Sequence, residues 1–405
     1  MRIKLRYLDW QLFIGVIVAI LYGLLIVYSA SQTLDKINTK YFFQQIIWVI
    51  VGIILMIIMM TIPYKNYYAY CYILLIITIF LLLVPLIIEF QGTRGARRWI
   101  VLGAFFFQPS ELTKIVYVMV LARYLVDSEV KNFTLPDLIK PILLTFPLMF
   151  LIMIEPDLGS SLSLVAVLIS LLYWKGIRLL YLFIFLTPLI SMLTSFSSLY
   201  WLIFLSFLLI FLYFSHINFK EILATMTVNI ISGISFPLFW SMLANYQKKR
   251  ITIFWDPNID PKGQGWNVIQ SMVSIGSGGF LGKGYMQGTQ KNLGFLPEQH
   301  TDFVYPVIGE EWGFIGCAFI LLIFLFIIYR LINSATSIRN PFASLVVIGI
   351  CSILAFHVFV NIGMTIGLVP VTGIVLPFIS YGGSSISFFL ISIGIVQSIN
   401  LSRSE

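Results

Sequence analysis

The chain has 405 residues, of which 59% are hydrophobic and only 10% are charged, whereas a soluble domain carries about 25% charged residues. This composition excludes a soluble globule and predicts an all-α polytopic membrane protein, since a spanning helix needs about 20 apolar residues. The formal net charge of +8 comes from 25 Lys and Arg against 17 Asp and Glu. It is compatible with nucleic acid, anionic lipid or an anionic substrate as partner.

The N-terminal apolar run is predicted to be a retained first span. Arg2, Lys4 and Arg6 precede it, and it continues to Ser29 without a small-residue cleavage site, so it does not read as a cleaved signal peptide. The three cysteines, Cys71, Cys317 and Cys351, lie in apolar runs without a pairing or metal spacing. We interpret them as packing residues.

Apolar runs bounded by charges, Pro or Gly predict about 10–12 transmembrane helices in a single domain over 1–405. The predicted spans lie near 10–29, 44–62, 68–88, 110–126, 139–154, 158–174, 178–197, 200–215, 222–244, 303–329, 342–366 and 383–400. One large extracytoplasmic loop, 245–302, separates the ninth from the tenth. The pair over 178–215 reads either as two short helices or as one helix with a re-entrant piece.

The distribution of basic residues predicts that both termini are cytoplasmic. In that orientation the cytoplasmic segments hold twelve Lys and Arg and the external segments hold eleven, but nine of the eleven lie in two loops, 89–109 and 245–302. The nine are Arg94, Arg97, Arg98, Lys248, Lys249, Arg250, Lys262, Lys283 and Lys291. Because these cations face outward beside a membrane, nucleic acid is a poor partner. Anionic lipid headgroups, or the pyrophosphate of a lipid-linked substrate, remain.

Two acidic positions carry both a structural and a functional interpretation. Glu111 and Lys114 lie one helical turn apart in a span that begins at Pro109. They form either a functional charged pair at membrane depth or an ion pair that only neutralises itself. Asp157, in a short external turn, is well placed to cap the helix that follows it.

The histidines and loop carboxylates give weaker signals. His357 is isolated in a span and is predicted to pack, whereas His300 lies between Glu298 and Asp302 without a fixed metal-ligand spacing. The carboxylates of the large loop form the pool of candidate catalytic groups: Asp256, Asp260, Glu298 and Asp302. Residue types alone do not select a general base among them.

Taken together, the motifs resemble the SEDS family (shape, elongation, division and sporulation), typified by RodA and FtsW. The matching segments are Arg98-Trp-Ile100, Gln108-Pro-Ser-Glu111, Lys114, Pro156-Asp-Leu-Gly159, Tyr246-Gln247, Arg250, Asp260-Pro, Gly263-Gln-Gly265, Gln270-Ser271, Gly276-Ser-Gly-Gly279, Gly282-Lys-Gly284, Gly288-Thr-Gln290, Phe295-Leu-Pro-Glu298, His300-Thr-Asp-Phe303, Gly309-Glu-Glu311, Asn361-Ile-Gly-Met364, Gly367-Leu-Val-Pro-Val-Thr-Gly373 and Leu376-Pro-Phe-Ile-Ser-Tyr-Gly-Gly-Ser384. Gly282-Lys-Gly284 with Gly288-Thr-Gln290 looks like the RodA, elongation-type branch. The family pattern has room for one span between Gly176 and Tyr246, so 178–215 reads as an added helical hairpin.

The resemblance implies a peptidoglycan glycosyltransferase that polymerises lipid II on the outer face of the bacterial cytoplasmic membrane during elongation and rod-shape maintenance. Asp260 matches the family's essential loop aspartate, and is predicted to be the general base for a GlcNAc C4 hydroxyl or a ligand of a divalent cation, Mg or Mn. Direct displacement would invert the donor linkage. The predicted substrate-binding residues are Arg98, Glu111, Lys114, Arg250, Lys283 and His300.

The resemblance also implies a partner, a class B penicillin-binding protein transpeptidase within an elongation complex. Two other functions remain open at this point. A lipid II flippase would also need many spans and a charged pair at membrane depth. A non-catalytic scaffold of the elongation complex is the third interpretation.

Overall fold

In the computed structural model, the described residues are 7–33, 36–37, 39–88, 98–102, 105–128, 134–243, 245–260, 263–296 and 298–402. The helices are α1 (Trp10–Ala30), α2 (Lys40–Thr61), α3 (Tyr64–Ile87), α4 (Pro109–Asp127), α5 (Ile139–Ile154), α6 (Leu158–Trp174), α7 (Leu179–Thr194), α8 (Ser198–Phe214), α9 (Phe219–Met242), α10 (Asn245–Trp255), α11 (Gln264–Ser277), α12 (Thr289–Asn292), α13 (Val304–Ser337), α14 (Pro341–Thr365) and α15 (Gly383–Leu401). Short 3-10 turns cover Leu135–Leu138 and Pro257–Ile259. Two antiparallel pairs join β1 (Gln32–Thr33) to β2 (Lys36–Ile37) and β3 (Ile100–Leu102) to β4 (Phe105–Phe107).

The all-α polytopic membrane fold is confirmed. Within the described ranges, eight helices are long and apolar enough to cross a membrane: α1, α2, α3, α5 with its preceding turn, α9, α13, α14 and α15. Helices α6, α7 and α8 are shorter and apolar, and α4 is interrupted by charged residues. These helices occupy the twelve predicted positions. Helices α2 and α3 each begin four residues before the predicted start, and α13 continues to Ser337.

The centre of the bundle is formed by α4, α14 and α15. Helices α14 and α15 are buried along most of their length, and α4 packs against α3, α6 and α14. Nearly every residue from Pro109 to Ala122 is buried. The charges of Glu111 and Lys114 therefore lie inside protein rather than against lipid, where an ionised side chain is costly.

Polar side chains start several of these helices. Asp9 accepts a hydrogen bond from the Leu12 amide, Asp157 from the Ser160 amide and Asn340 from the Ala343 amide. Each fills one of the unpaired donors in a first helical turn. The capping role predicted for Asp157 is confirmed.

Residues 178–215 form two helices, α7 and α8, joined at Ser195–Ser197. Helix α8 packs mainly on α7 and α9, and most of its large apolar side chains are exposed. The Trp201 indole donates to the Ser191 hydroxyl at 2.9 Å, and Asn229 donates to the Thr187 hydroxyl at 2.9 Å. The first hydrogen bond joins α8 to α7 within the hairpin, and the second attaches α7 to α9 at the periphery of the bundle.

The segment over 245–302 is largely helical. Helices α10 and α11 flank the 3-10 turn, and α11 packs along α13. The buried face of α11 carries Val268, Ser271 and Ser274. The loop is thus docked on the bundle by small residues.

The docking of α11 gives a stability prediction. A Cβ at Gly278 would overlap the Gly309 carbonyl oxygen, whereas a Cβ at Gly276 would meet no atom within 4 Å. We expect Gly278→Ala to destabilise the protein by about 1–3 kcal/mol through overpacking, seen as a lower thermal unfolding midpoint in detergent. The matched control Gly276→Ala should keep or slightly raise that midpoint. Equal midpoints in the two variants would contradict this packing.

Candidate active site

A cavity of about 640 Å³ opens where the 89–109 and 245–302 segments meet the bundle; we call it the loop-side cavity. Its ionisable lining residues are Lys40, Arg98, Glu111, Asp157, Glu298, Asp302 and His357. Its aromatic lining residues are Tyr41, Trp48, Trp99, Phe106 and Tyr381. A concave site with convergent charged groups and aromatic walls is the expected form of a small-molecule site.

Glu111 and Lys114 form the predicted pair, and His357 joins it. Lys114 Nζ donates to Glu111 Oε1 at 2.7 Å and faces His357 Nε2 at 2.9 Å. Glu111 and His357 line the cavity, while Lys114, 1% exposed, lies behind them. The prediction that His357 only packs missed its polar role, because its partner is 243 residues away along the chain.

Asp157 joins the cap of α6 to the cavity wall. Its second oxygen, Oδ2, accepts from Gln108 Nε2 at 2.7 Å and from the Ser110 hydroxyl at 3.2 Å. The neighbouring Glu155 is fully buried, and both of its carboxyl oxygens lack hydrogen-bond partners. Burial, reinforced by the Asp157 charge, raises the pKa of Glu155 to about 9. Glu155 is therefore a neutral acid at pH 7.

The segment before α13 places two more carboxylates, Glu298 and Asp302, in the cavity lining. Burial, followed by the charge of Glu298, raises the pKa of Asp302 to about 6, and Arg98 and Arg250 oppose that rise. Asp302 therefore interacts electrostatically with a cation from each basic loop, Arg98 and Arg250. Its carboxyl group therefore changes charge between about pH 5 and pH 7.

His300 supports the wall from outside the cavity. Its ring stacks on Tyr41, with centroids 4.2 Å apart, and its backbone carbonyl accepts from the Tyr381 amide at 2.8 Å. Burial lowers the pKa of His300 despite the nearby Glu298 carboxylate. His300 thus positions two aromatic lining residues rather than lining the cavity itself.

Asp260 lies in the turn between Pro257–Ile259 and α11, outside the lining of the loop-side cavity. Its carboxylate is partly exposed, faces Lys249 Nζ at 3.6 Å, and lies against Gly263, where a Cβ would overlap it. Close by, a smaller cavity of about 150 Å³ is lined by Arg250 and Pro257. One segment borders both cavities: 369–371 lines the smaller one and 373–375 the larger.

Lys283 belongs to a separate ion-pair network that joins the segment after α11 to α13. Its Nζ lies 2.8 Å from both Glu310 Oε1 and the Thr289 hydroxyl. Next to it, Lys291 Nζ contacts Glu311 Oε1 at 2.6 Å, with both side chains fully buried. These pairs fasten the segment after α11 to the bundle. Lys283 therefore lies outside the loop-side cavity.

The structure thus brings Arg98 and Glu111 into the cavity, with Lys114 directly behind, and places Arg250, Lys283, His300 and Asp260 elsewhere. Of the nine loop cations, Arg94, Arg97 and Lys262 lie outside the described residues. Tyr41, Trp48 and Tyr381 were not predicted as site residues. Tyr41 and Trp48 lie in α2 and Tyr381 lies in the segment before α15, and the sequence around them gives no signal of a cavity.

Asp260 was also predicted as a metal ligand, but the described residues form no cluster of metal-ligating side chains around it. Across the described parts of the chain, no three His, Cys, Asp or Glu side chains are grouped so as to hold an ion. Mg²⁺ is commonly bound through one or two carboxylates, water and substrate phosphates. A divalent cation at Asp260 would depend on that mode, and it stays a prediction.

Comparisons with known proteins agree over nearly the whole chain. The FtsW/RodA/SpoVE family profile, described as cell cycle protein, matches residues 9–207 and 197–405. The chain is 33% identical to stage V sporulation protein E of Bacillus subtilis, covering 98% of this chain and 97% of that protein. It is also 33% identical to peptidoglycan glycosyltransferase MrdB of Escherichia coli, covering 98% and 94%.

Solved structures show the same architecture. A chain from a study of how a peptidoglycan synthase complex coordinates polymerization and crosslinking is 27% identical, with a TM-score of 0.73 and coverage of 98% and 99%. The Thermus thermophilus rod shape determining protein RodA is 23% identical, with a TM-score of 0.64 and coverage of 98% of each chain. The second likeness concerns the fold alone.

Proposed function

Because this chain belongs to the FtsW/RodA/SpoVE family and is a peptidoglycan glycosyltransferase, we propose that it polymerises lipid II at the loop-side cavity. The observation that carries the proposal is the cavity itself, which combines Arg98, buried carboxylates and aromatic walls at one end of a membrane bundle. The positive-inside count supports an extracytoplasmic position for this end, with both termini cytoplasmic. The site would then lie on the outer face of the cytoplasmic membrane.

The chemistry of the donor fits this location. No nucleotide sugar is available outside the cell, so a donor must arrive activated on a lipid, with pyrophosphate as leaving group. Arg98 lines the cavity and its Nε has no hydrogen-bond partner, so its guanidinium can take a pyrophosphate oxygen. Arginine is well suited to such an anion because its planar fork binds two oxygens together. The aromatic rings offer flat apolar surfaces to the sugars.

Asp260 is the proposed base for the acceptor. A GlcNAc C4 hydroxyl is too weak an acid to ionise at pH 7, so a carboxylate within hydrogen-bond reach would accept its proton as it attacks the MurNAc C1. The C1–pyrophosphate bond breaks in the same displacement, and the linkage inverts from α to β. Asp260 stands beside the smaller cavity, and Arg250, which lines that cavity, acts electrostatically on Asp302 in the larger one. We therefore place the acceptor between Asp260 and the loop-side cavity.

The partner is proposed to be a class B penicillin-binding protein, which would crosslink the strands made here. Support comes from the similar chain of a complex that coordinates polymerization with crosslinking. The two proteins would act together in an elongation complex.

Reconstitution with that partner separates the three candidate functions. Labelled lipid II is supplied in proteoliposomes, and both glycan length on a gel and movement of lipid II between leaflets are measured. We expect polymer. Leaflet exchange without polymer would support a flippase, and neither activity would support a scaffold.

Asp302 gives a pH prediction for this site. Because its pKa is raised to about 6, chiefly by burial, the cavity gains a negative charge as pH rises from 5 to 7. The apparent KM for lipid II should then rise about fivefold, equivalent to about 1 kcal/mol of repulsion across a hydrated site. Asp302→Asn should remove that rise, whereas Asp127→Asn, at the opposite end of α4, should keep it. A wild-type KM that is flat over this range would contradict the assignment.

A further inference from the structure

His357 is the feature that the proposed reaction leaves without a role. It is 2% exposed in the middle of α14, yet it lines the loop-side cavity. Its ring meets Phe389 edge-on, with centroids 5.1 Å apart, and this contact fixes the ring plane. A buried imidazole facing a lysine is an unusual arrangement, because both groups can carry a positive charge.

The partners of the ring define its protonation. An ammonium has only donors, so the contact between Lys114 Nζ and His357 Nε2 requires Nε2 to be the acceptor. The hydrogen of the neutral ring is then on Nδ1, which faces the Val375 carbonyl oxygen at 3.4 Å. Val375 itself lines the cavity. The imidazole is therefore neutral, with a fixed tautomer, and it accepts from the ammonium.

Lys114 depends on this acceptor for its position. Glu111 Oε1 takes one of its three N–H groups and His357 Nε2 takes another. The ammonium thus lies between the α4 and α14 walls, immediately behind two residues that face the cavity. A flexible four-carbon side chain would otherwise lose this fixed location.

We propose that His357 is a positioning residue for glycosyl transfer: through Nε2 it holds the Lys114 ammonium in the cavity wall, where the positive charge stabilises the departing pyrophosphate. This inference rests on the proposed function. Preorganised charge stabilises a transition state because it needs no rearrangement as the charge develops. His357 acts through Lys114 and transfers no proton in the reaction.

Two polar substitutions separate this role from packing. Glutamine places its side-chain oxygen near the position of Nε2 and can accept from Lys114, whereas asparagine is shorter and reaches only the position of Nδ1. A hydrogen bond to a charged group is stronger than one between neutral groups, so we expect His357→Asn to lower kcat by about 10- to 100-fold. The KM should change little, because the interaction is realised in the transition state. His357→Gln should keep most of the wild-type kcat.

A double-mutant cycle with Lys114→Met tests the coupling. If His357 acts through Lys114, adding His357→Asn to Lys114→Met should cause no further loss of kcat. Phe359→Leu, at a lipid-exposed position of the same helix, is the control for perturbing α14 and should behave as wild type.

The outcomes distinguish the inference from the function. Polymer formation by wild type, with its transpeptidase partner, tests the proposed function alone. Given that polymer, equal kcat values for His357→Asn and wild type would overturn the inference. Multiplicative losses in the cycle, or a His357→Gln as poor as His357→Asn, would overturn it too.

Discussion

Asp260→Asn is expected to abolish glycan polymerisation while leaving the protein folded in the membrane. The substitution keeps the size of the side chain but removes the negative charge that would accept the proton of the attacking hydroxyl. General base catalysis contributes about 10²- to 10⁴-fold to a rate, and a loss of that size is expected in kcat with labelled lipid II. Because Asp260 is partly exposed and its ion pair with Lys249 is long, stability should change by less than about 1 kcal/mol.

Asp256→Asn is the matched control in the same turn. Asp256 also precedes a proline, is exposed, and accepts the Asn258 amide through Oδ1 at 3.0 Å. Asparagine retains that acceptor, so activity should stay close to wild type. Equal losses in the two variants would show that the turn, rather than the Asp260 carboxylate, is what activity requires. Normal polymerisation by Asp260→Asn would contradict its role as the base.

Lys114→Met is expected to have the second-largest effect, on both folding and activity. It leaves the buried Glu111 carboxylate without its cation, and breaking a buried pair in this way costs about 3–5 kcal/mol. Activity of the folded fraction should fall by about 10²- to 10³-fold if the ammonium stabilises the leaving pyrophosphate. Thermal unfolding and lipid II turnover, measured on the same preparation, separate the two losses.

The double variant Glu111→Gln with Lys114→Met distinguishes a catalytic pair from a structural one. It is neutral, so much of the lost stability should return. A pair that only neutralises itself would then regain activity as well as stability. We expect stability without activity. Recovery of both would favour the self-neutralising ion pair.

Much of the fold follows from local sequence features. Apolar runs locate the helices because a run of about 20 apolar residues is long enough to cross the membrane. Asp157 was recognisable as a cap from its place before the first helical turn. Helices α7 and α8 lie within the predicted region 178–215; that this hairpin is added relative to the family stays a prediction.

Contacts in the site were predictable only where the two residues are close together along the chain. Glu111 and Lys114 are one turn apart, so their pairing could be predicted. The partners of Lys114 and Lys283 on other helices, His357 and Glu310, are set by how distant helices pack. The same holds for Tyr41 and Tyr381, which become cavity walls only when α2 meets the segment before α15. Composition and residue spacing do not predict such long-range contacts.

The most direct test of the central claim is the linkage of the product made from lipid II. The purified protein is combined with a class B penicillin-binding protein whose transpeptidase is blocked, and the labelled product is treated with a muramidase that cleaves β-linked MurNAc. We expect long glycan strands that the muramidase reduces completely to disaccharide units, as polymerisation with inversion requires. Unreacted lipid II, or a polymer resistant to that enzyme, would contradict the account.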